Sequence, residues 1–288
     1  MKKLRQIITD VKARIAEPSG DLLDMLWPLI CYSPKMPLRL QQQQLLNEAT
    51  QFSLKVKDEY FARRELNFNG FVWGSGSNKI LITHGWGSKA ADFAELITAL
   101  REIDDVQVIA FDAPGNGSSE GEWSNLLLYA QAVKAIVANY GEPDIMIGHS
   151  LGGMANMMIV GDMQIKPSLL ISLTPLIRLK ENFEATMNAV GVQQSDQENF
   201  MADFKRQFIT PTSYYNLDDR YCADAHLQHF LAYDEHDLTS PYNYIRKFLN
   251  DHPTITSKNY NSVGHERIIK SPEVINDLVD LIKEAIED

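Results

Sequence analysis

Cysteine is scarce: Cys31 and Cys222 are the only two in 288 residues. Two thiols so far apart make neither a disulfide framework nor a metal-ligand set. Both are expected to be small buried residues in a reducing, cytoplasmic setting. Long apolar runs are missing as well. The longest near the N-terminus, Met25-Leu26-Trp27-Pro28-Leu29-Ile30-Cys31-Tyr32, falls far short of the roughly 20 residues that span a bilayer, and it contains a proline. Core packing is its expected role, and no integral membrane segment is expected. The opening MKKLRQIITDVKARIAE reads as a charged helix rather than a signal peptide. Basic charge is also short. Lys and Arg number 27 against 38 Asp and Glu, a net charge of -11, which makes nucleic acid an unsuitable partner. Residues 1–70 run against this trend, with 11 basic and 8 acidic groups.

What remains is ordinary globular material, 44% hydrophobic and 23% charged, long enough for a full core. Residues 1–48 read as helical, broken at Pro18-Ser19-Gly20 and Ser33-Pro34. Phe52, Leu54 and Val56 then alternate with polar residues, and Leu66, Phe68 and Phe71-Val72 suggest a hairpin partner. Beyond the turn residues 74–78, short apolar strands at 79–83, 106–111, 144–147 and 168–173 alternate with helical segments at 90–102, 124–139 and 154–160. That alternation predicts βαβ units and a parallel sheet buried on both faces. It breaks after Thr174-Pro175, where about fifty residues rich in Phe, Tyr and Met read as helices. It resumes with strand 230–233, helix 242–250, strand 254–260 and helix 272–287. The expected layout is an N-terminal helical extension over 1–50, an α/β core over 51–175 and 225–288, and a helical cap or lid over 176–224.

G-x-S-x-G occurs twice, around Ser119 and around Ser150. A nucleophile elbow needs a strand before the serine and a helix after it. Ser150 has Ile145-Met146-Ile147 in front and Met154–Met158 behind; Ser119 has neither and reads as loop surface. A serine needs a base, and the base an orienting acid. His265, in Gly264-His265 past the last strand, is the candidate base. The acid lies in Tyr233-Asp234-Glu235-His236-Asp237, with Asp237 favoured and Asp234 better suited to shaping the turn. An oxyanion needs two N–H donors. Leu151 supplies one and Trp86, in His84-Gly85-Trp86-Gly87, the other. Trp86, His149, Phe204 and Phe208 are the expected substrate-contacting side chains. No metal and no cofactor is expected.

Together, His84-Gly85-Trp86-Gly87, Phe111-Asp112-Ala113-Pro114-Gly115-Asn116-Gly117-Ser118, Gly148-His149-Ser150-Leu151-Gly152-Gly153, Asp237 with Pro241, and Gly264-His265 resemble the α/β-hydrolase fold family from about residue 51 to 288. In particular, the chain looks like bacterial serine hydrolases with an N-terminal helical extension. The resemblance implies an α/β-hydrolase fold, with a mostly parallel central sheet, helices on both faces and a helical lid insertion. The family's nucleophile falls on Ser150, its acid on Asp237 and its base on His265. Serine at the elbow disfavours the dehalogenase and epoxide-hydrolase branches, which place Asp there. The expected activity is hydrolysis of a small-molecule carboxylic ester or thioester. Acyl transfer, amide cleavage or C–C bond hydrolysis at the same site are alternatives, as is a non-catalytic ligand-binding member of the fold.

Overall fold

A computed structural model describes residues 1–17, 21–221 and 227–287; Cys222 and His226 lie outside the described residues. Eight strands form one sheet in the order β1-β2-β4-β3-β5-β6-β7-β8. They are β1 (Thr50–Asp58), β2 (Arg64–Trp73), β3 (Asn78–Thr83), β4 (Val106–Phe111), β5 (Ile145–His149), β6 (Leu169–Leu173), β7 (Gln228–Tyr233) and β8 (Thr256–Asn259). β1 and β2 make the expected hairpin, with Thr50 opposite Val72. β2 meets β4 antiparallel, and every pairing from β4 through β3 to β8 is parallel. The chain is thus an α/β protein with a mostly parallel sheet.

The parallel strands bury alternate residues on opposite faces, which is why they read as unbroken apolar runs. Leu81, Ile109, Met146, Leu170 and Leu231 face one core. That core is completed by α5 (Leu126–Tyr140), α6 (Leu151–Met163) and the N-terminal α2 (Leu23–Cys31). Ile80, Ile82, Val108, Ile147 and Ile171 face the other, covered by α4 (Ala94–Leu100) and α11 (Pro272–Glu287).

Several boundaries differ from the sequence reading. The helix expected over 90–102 begins with a 3-10 turn, Ala90–Phe93, before α4; the Ala90 N–H is taken by Asp112 Oδ1 at 2.8 Å, so the tight first turn leaves no orphan donor there. The helix after Ser150 starts at once, not at 154, and Gly152 in its first turn lets it pack against the end of β3. A Cβ on it would stand 2.2 Å from the Thr83 carbonyl oxygen. Asn125 caps α5, accepting from Leu128 N–H at 3.0 Å, so that helix starts two residues later than the reading placed it. The last strand is short, and its Thr256, Ser257 and Lys258 are exposed.

The N-terminal region forms α1 (Lys2–Ile15), α2 and α3 (Leu40–Asn47). Between β6 and β7 run α7 (Leu179–Val190), α8 (Gln194–Phe208), a 3-10 turn Thr212–Tyr215 and α9 (Leu217–Arg220). α2 packs against α7 and α8, with Trp27 at the junction. Its indole N–H donates to Asp203 Oδ2 at 2.8 Å, and its ring meets Phe61, Phe200, Phe204 and Phe208. The apolar run 25–32 therefore packs a core, as its composition suggests. No helix among the described residues is long and apolar enough to cross a membrane.

Candidate active site

Four loops converge at the carboxyl edge of the parallel strands, where open α/β sheets form their crevices. They follow β3, β5, β7 and β8. Ser150 stands between β5 and α6 with φ 52° and ψ -118°, a conformation an L-residue holds only when its surroundings impose it. Ser150 N–H bonds to the Leu173 carbonyl of β6 at 3.0 Å, and the Ser150 carbonyl accepts from Leu176 N–H at 3.1 Å. The elbow is thereby locked on both sides.

His265 Nε2 lies 3.0 Å from Ser150 Oγ, and its Nδ1 2.6 Å from Asp237 Oδ2. With a carboxylate at Nδ1, the proton sits there and donates to Asp237. Nε2 is then the lone-pair nitrogen, facing the serine hydroxyl. Asp237 is itself held: Oδ1 accepts from Thr239 N–H at 2.7 Å and Ser240 N–H at 3.1 Å. Burial pushes its carboxyl up, but the hydrogen bond and charge of His265 and the two backbone donors outweigh that and leave it below the ordinary carboxylate value. Asp234 has a different task. Its Oδ2 accepts from Gly264 N–H at 2.7 Å and its Oδ1 from His236 N–H at 2.9 Å, tying the end of β7 to the loop that carries His265.

The loop after β3 is fixed by His84. Its Nε2 accepts from Ala113 N–H at 2.9 Å, so Nδ1 carries the proton and donates to the Gly85 carbonyl at 2.6 Å. Burial pushes the His84 imidazole down, favouring this neutral form. Gly85 lets the loop approach the elbow: a Cβ there would lie 3.1 Å from Ser150 Cβ and 2.8 Å from His149 Nδ1. Trp86, 38% exposed, stands at the mouth. The Leu151 N–H opens α6 and is one of the first-turn donors without an intrahelical acceptor. His149 donates from Nε2 to the His265 carbonyl at 2.9 Å and is pushed down to about 3 by burial and the neighbouring His265. It is a neutral buttress under the base.

Two cavities meet at Ser150, Trp86 and His265. One, of about 350 Å³, is walled mainly by Leu29, Ile30, Leu126, Leu176, Leu179 and Phe183. The other, of about 440 Å³, is of mixed character, with Met36, Leu38 and Ile269 beside Arg39, Gln42, Lys89, Asp92, Glu266 and Lys270.

The structure brings Ser150, Asp237, His265, Trp86, Leu151 and His149 together. It does not bring Phe204 or Phe208 to either cavity: both are buried, stacked on each other at 4.4 Å between ring centroids and packed around Trp27. Phe183, one helix earlier, reaches the apolar cavity instead. Ser119 is in a loop as expected but is buried, not on the surface. Its hydroxyl donates to the Asp112 carbonyl at 2.5 Å and accepts from Asn69 N–H at 2.9 Å, which fixes the turn after β4. β7 starts two residues before the strand expected over 230–233, so that His229 lies within it. Leu29, Ile30 and Cys31 of α2 are lining residues that sequence reasoning missed. Their apolar character announced burial, and nothing in their spacing distinguishes a core wall from a cavity wall. Burial drives the Cys31 thiol far up, which disfavours its thiolate.

The fold and the serine–histidine–carboxylate geometry define a class, the α/β hydrolases. The chain belongs to the alpha/beta hydrolase family, whose profile matches residues 80–262. Rat (Rattus norvegicus) monoglyceride lipase is 30% identical to it over 129 residues, 41% of this chain and 42% of that protein. The pimeloyl-[acyl-carrier protein] methyl ester esterase of Wigglesworthia glossinidia brevipalpis is 26% identical over 155 residues, 51% of this chain and 55% of that one. The chain thus spans about half the length, or less, of these curated relatives. An esterase from Pyrococcus furiosus shares the fold, with a TM-score of 0.60 at 14% identity over 90% of this chain and 97% of that one.

Proposed function

We propose that the protein is a serine hydrolase that cleaves a small-molecule carboxylic ester or thioester through an acyl-enzyme on Ser150. The observation that carries this reading is the unbroken hydrogen-bonded line from Asp237 through His265 to Ser150. Ser150 Oγ attacks the acyl carbon as His265 Nε2 takes its proton. Asp237 keeps the proton on Nδ1 and stabilises the imidazolium. The Trp86 and Leu151 N–H groups take the oxyanion. Collapse of the tetrahedral adduct breaks the C–O or C–S bond, and His265 protonates the leaving atom. Water, deprotonated by the same nitrogen, then releases the acid. The similarity to a lipase and a methyl ester esterase agrees with ester chemistry. Helices α7 to α9 act as the cap over this site, and a cytoplasmic location fits the free, buried Cys31.

A fluorophosphonate probe tests the assignment. Labelling should vanish in Ser150→Ala and persist in Ser119→Ala. Labelling that survives in Ser150→Ala would sink it.

A further inference from the structure

The two cavities that meet at Ser150 differ in chemistry, and the difference names a substrate. We infer that the substrate couples an apolar acyl chain to a leaving group that carries an anion, phosphate or carboxylate, and that residues 29–39 help to read both halves. This rests on the serine-hydrolase reading above and deepens it.

The apolar cavity is built partly from residues before the stretch the family profile matches: Leu29 and Ile30 of α2 line it together with Leu176, Leu179 and Phe183. It offers no cation and suits a hydrocarbon chain. The second cavity is walled by the segment that follows His265, namely Glu266, Ile269 and Lys270, and by residues 36–39 with Gln42. The leaving atom takes its proton from His265 Nε2, so the departing group is directed towards that wall.

Charge decides what it carries. In a chain of net charge -11, this cleft holds three cations, Arg39, Lys89 and Lys270. Lys89 is spent on Asp92, at 3.2 Å, which also accepts from Gln42 Nε2 at 2.9 Å. Arg39 and Lys270 have no ion-pair partner among the described residues. The remaining carboxylate, Glu266, lies where the two cavities join. Two uncommitted cations, Arg39 exposed and Lys270 half-buried, against one exposed carboxylate leave a partly screened but attractive field for an anion.

The test uses matched substrates differing only in the charge of the leaving group. Octanoyl phosphopantetheine against octanoyl pantetheine reads a phosphate; para-octanoyloxybenzoate against para-octanoyloxybenzamide reads a carboxylate. The readout is the ratio of kcat/KM, anionic over neutral. The wild-type ratio should exceed one in at least one pair, and which pair identifies the anion. Arg39→Gln and Lys270→Gln should each lower it by about fivefold, the scale of one partly exposed charge contact. Glu266→Gln should raise it, and Lys134→Gln, on the outer side of α5, should leave it unchanged. A ratio of one or below in both pairs, or a ratio indifferent to all three cleft substitutions, overturns the anionic leaving group while turnover of the neutral esters upholds the serine hydrolase. Absence of both turnover and probe labelling overturns the two together.

Discussion

Two aspartates three positions apart do different jobs, and the hydrogen bonds divide them. Asp237 faces His265, whereas Asp234 accepts from the backbone N–H groups of Gly264 and His236 and lies 3.6 Å from the exposed His236 ring. Asp237→Asn should leave the fold intact and cut kcat by about 10³–10⁴, because an amide at that position can donate its N–H to Nδ1 and leave the serine without a base. Asp234→Asn should retain most turnover but lose about 1–3 kcal/mol of stability, since Gly264 or His236 loses part of its acceptor. Steady-state kinetics beside urea unfolding of both variants separates the roles; the opposite pattern would make Asp234 the acid. The same bonding logic separates the serines. Ser119 spends its hydroxyl on two backbone groups, and Ser150 keeps its own for His265.

Helix α8 carries aromatic side chains at Phe200, Phe204 and Phe208, the four-residue spacing that lines one helix face. Such a stripe can cover a ligand or a core, and here it meets Trp27 of α2. Phe204→Ala or Phe208→Ala should therefore cost roughly 3–5 kcal/mol while the acyl-length preference stays as in the wild type. Phe183→Ala, on α7 and facing the apolar cavity, should shift that preference towards longer chains. Tm together with kcat/KM across an ester series of graded length checks both. A shifted profile in the α8 variants with unchanged Tm would return those two phenylalanines to the substrate.

Across the whole molecule, buried histidines couple stability to pH. His149 and His229 are both pushed down to about 3, chiefly by burial; His229 is also held neutral in the sheet between Ser172 at 2.9 Å and Tyr221 at 2.8 Å. Above about pH 6.5, folded and unfolded chains both carry them neutral, and stability is at its full value. As the pH falls from there towards 3, the unfolded chain takes up protons that the folded one refuses. Stability then declines by about 1.4 kcal/mol per pH unit for each histidine. His84, depressed in the same direction, adds to the trend. Urea unfolding between about pH 7 and pH 5 should show this loss, and His229→Gln should flatten it by one histidine's share. An identical slope in that variant would show that His229 is not the group that titrates.

Local pattern was enough for the sheet and the elbow. An apolar run buried on both sides, a tight turn and a helix are each written in a few adjacent residues, so the strands from Asn78 to Tyr233 and the setting of Ser150 were legible. So were the partners: Asp237 and His265 sit just past strand ends, and in a parallel sheet those ends share one edge. Chain-distant contact was not legible. Whether Phe204 faces a ligand or Trp27, and whether Ile30 walls a core or a cavity, depends on which helix from elsewhere in the chain packs opposite. Hydrophobicity measures the gain from leaving water and carries no address for where the side chain goes. Only the tertiary structure decided that α2, which precedes the residues the family profile matches, would wall the cavity at Ser150.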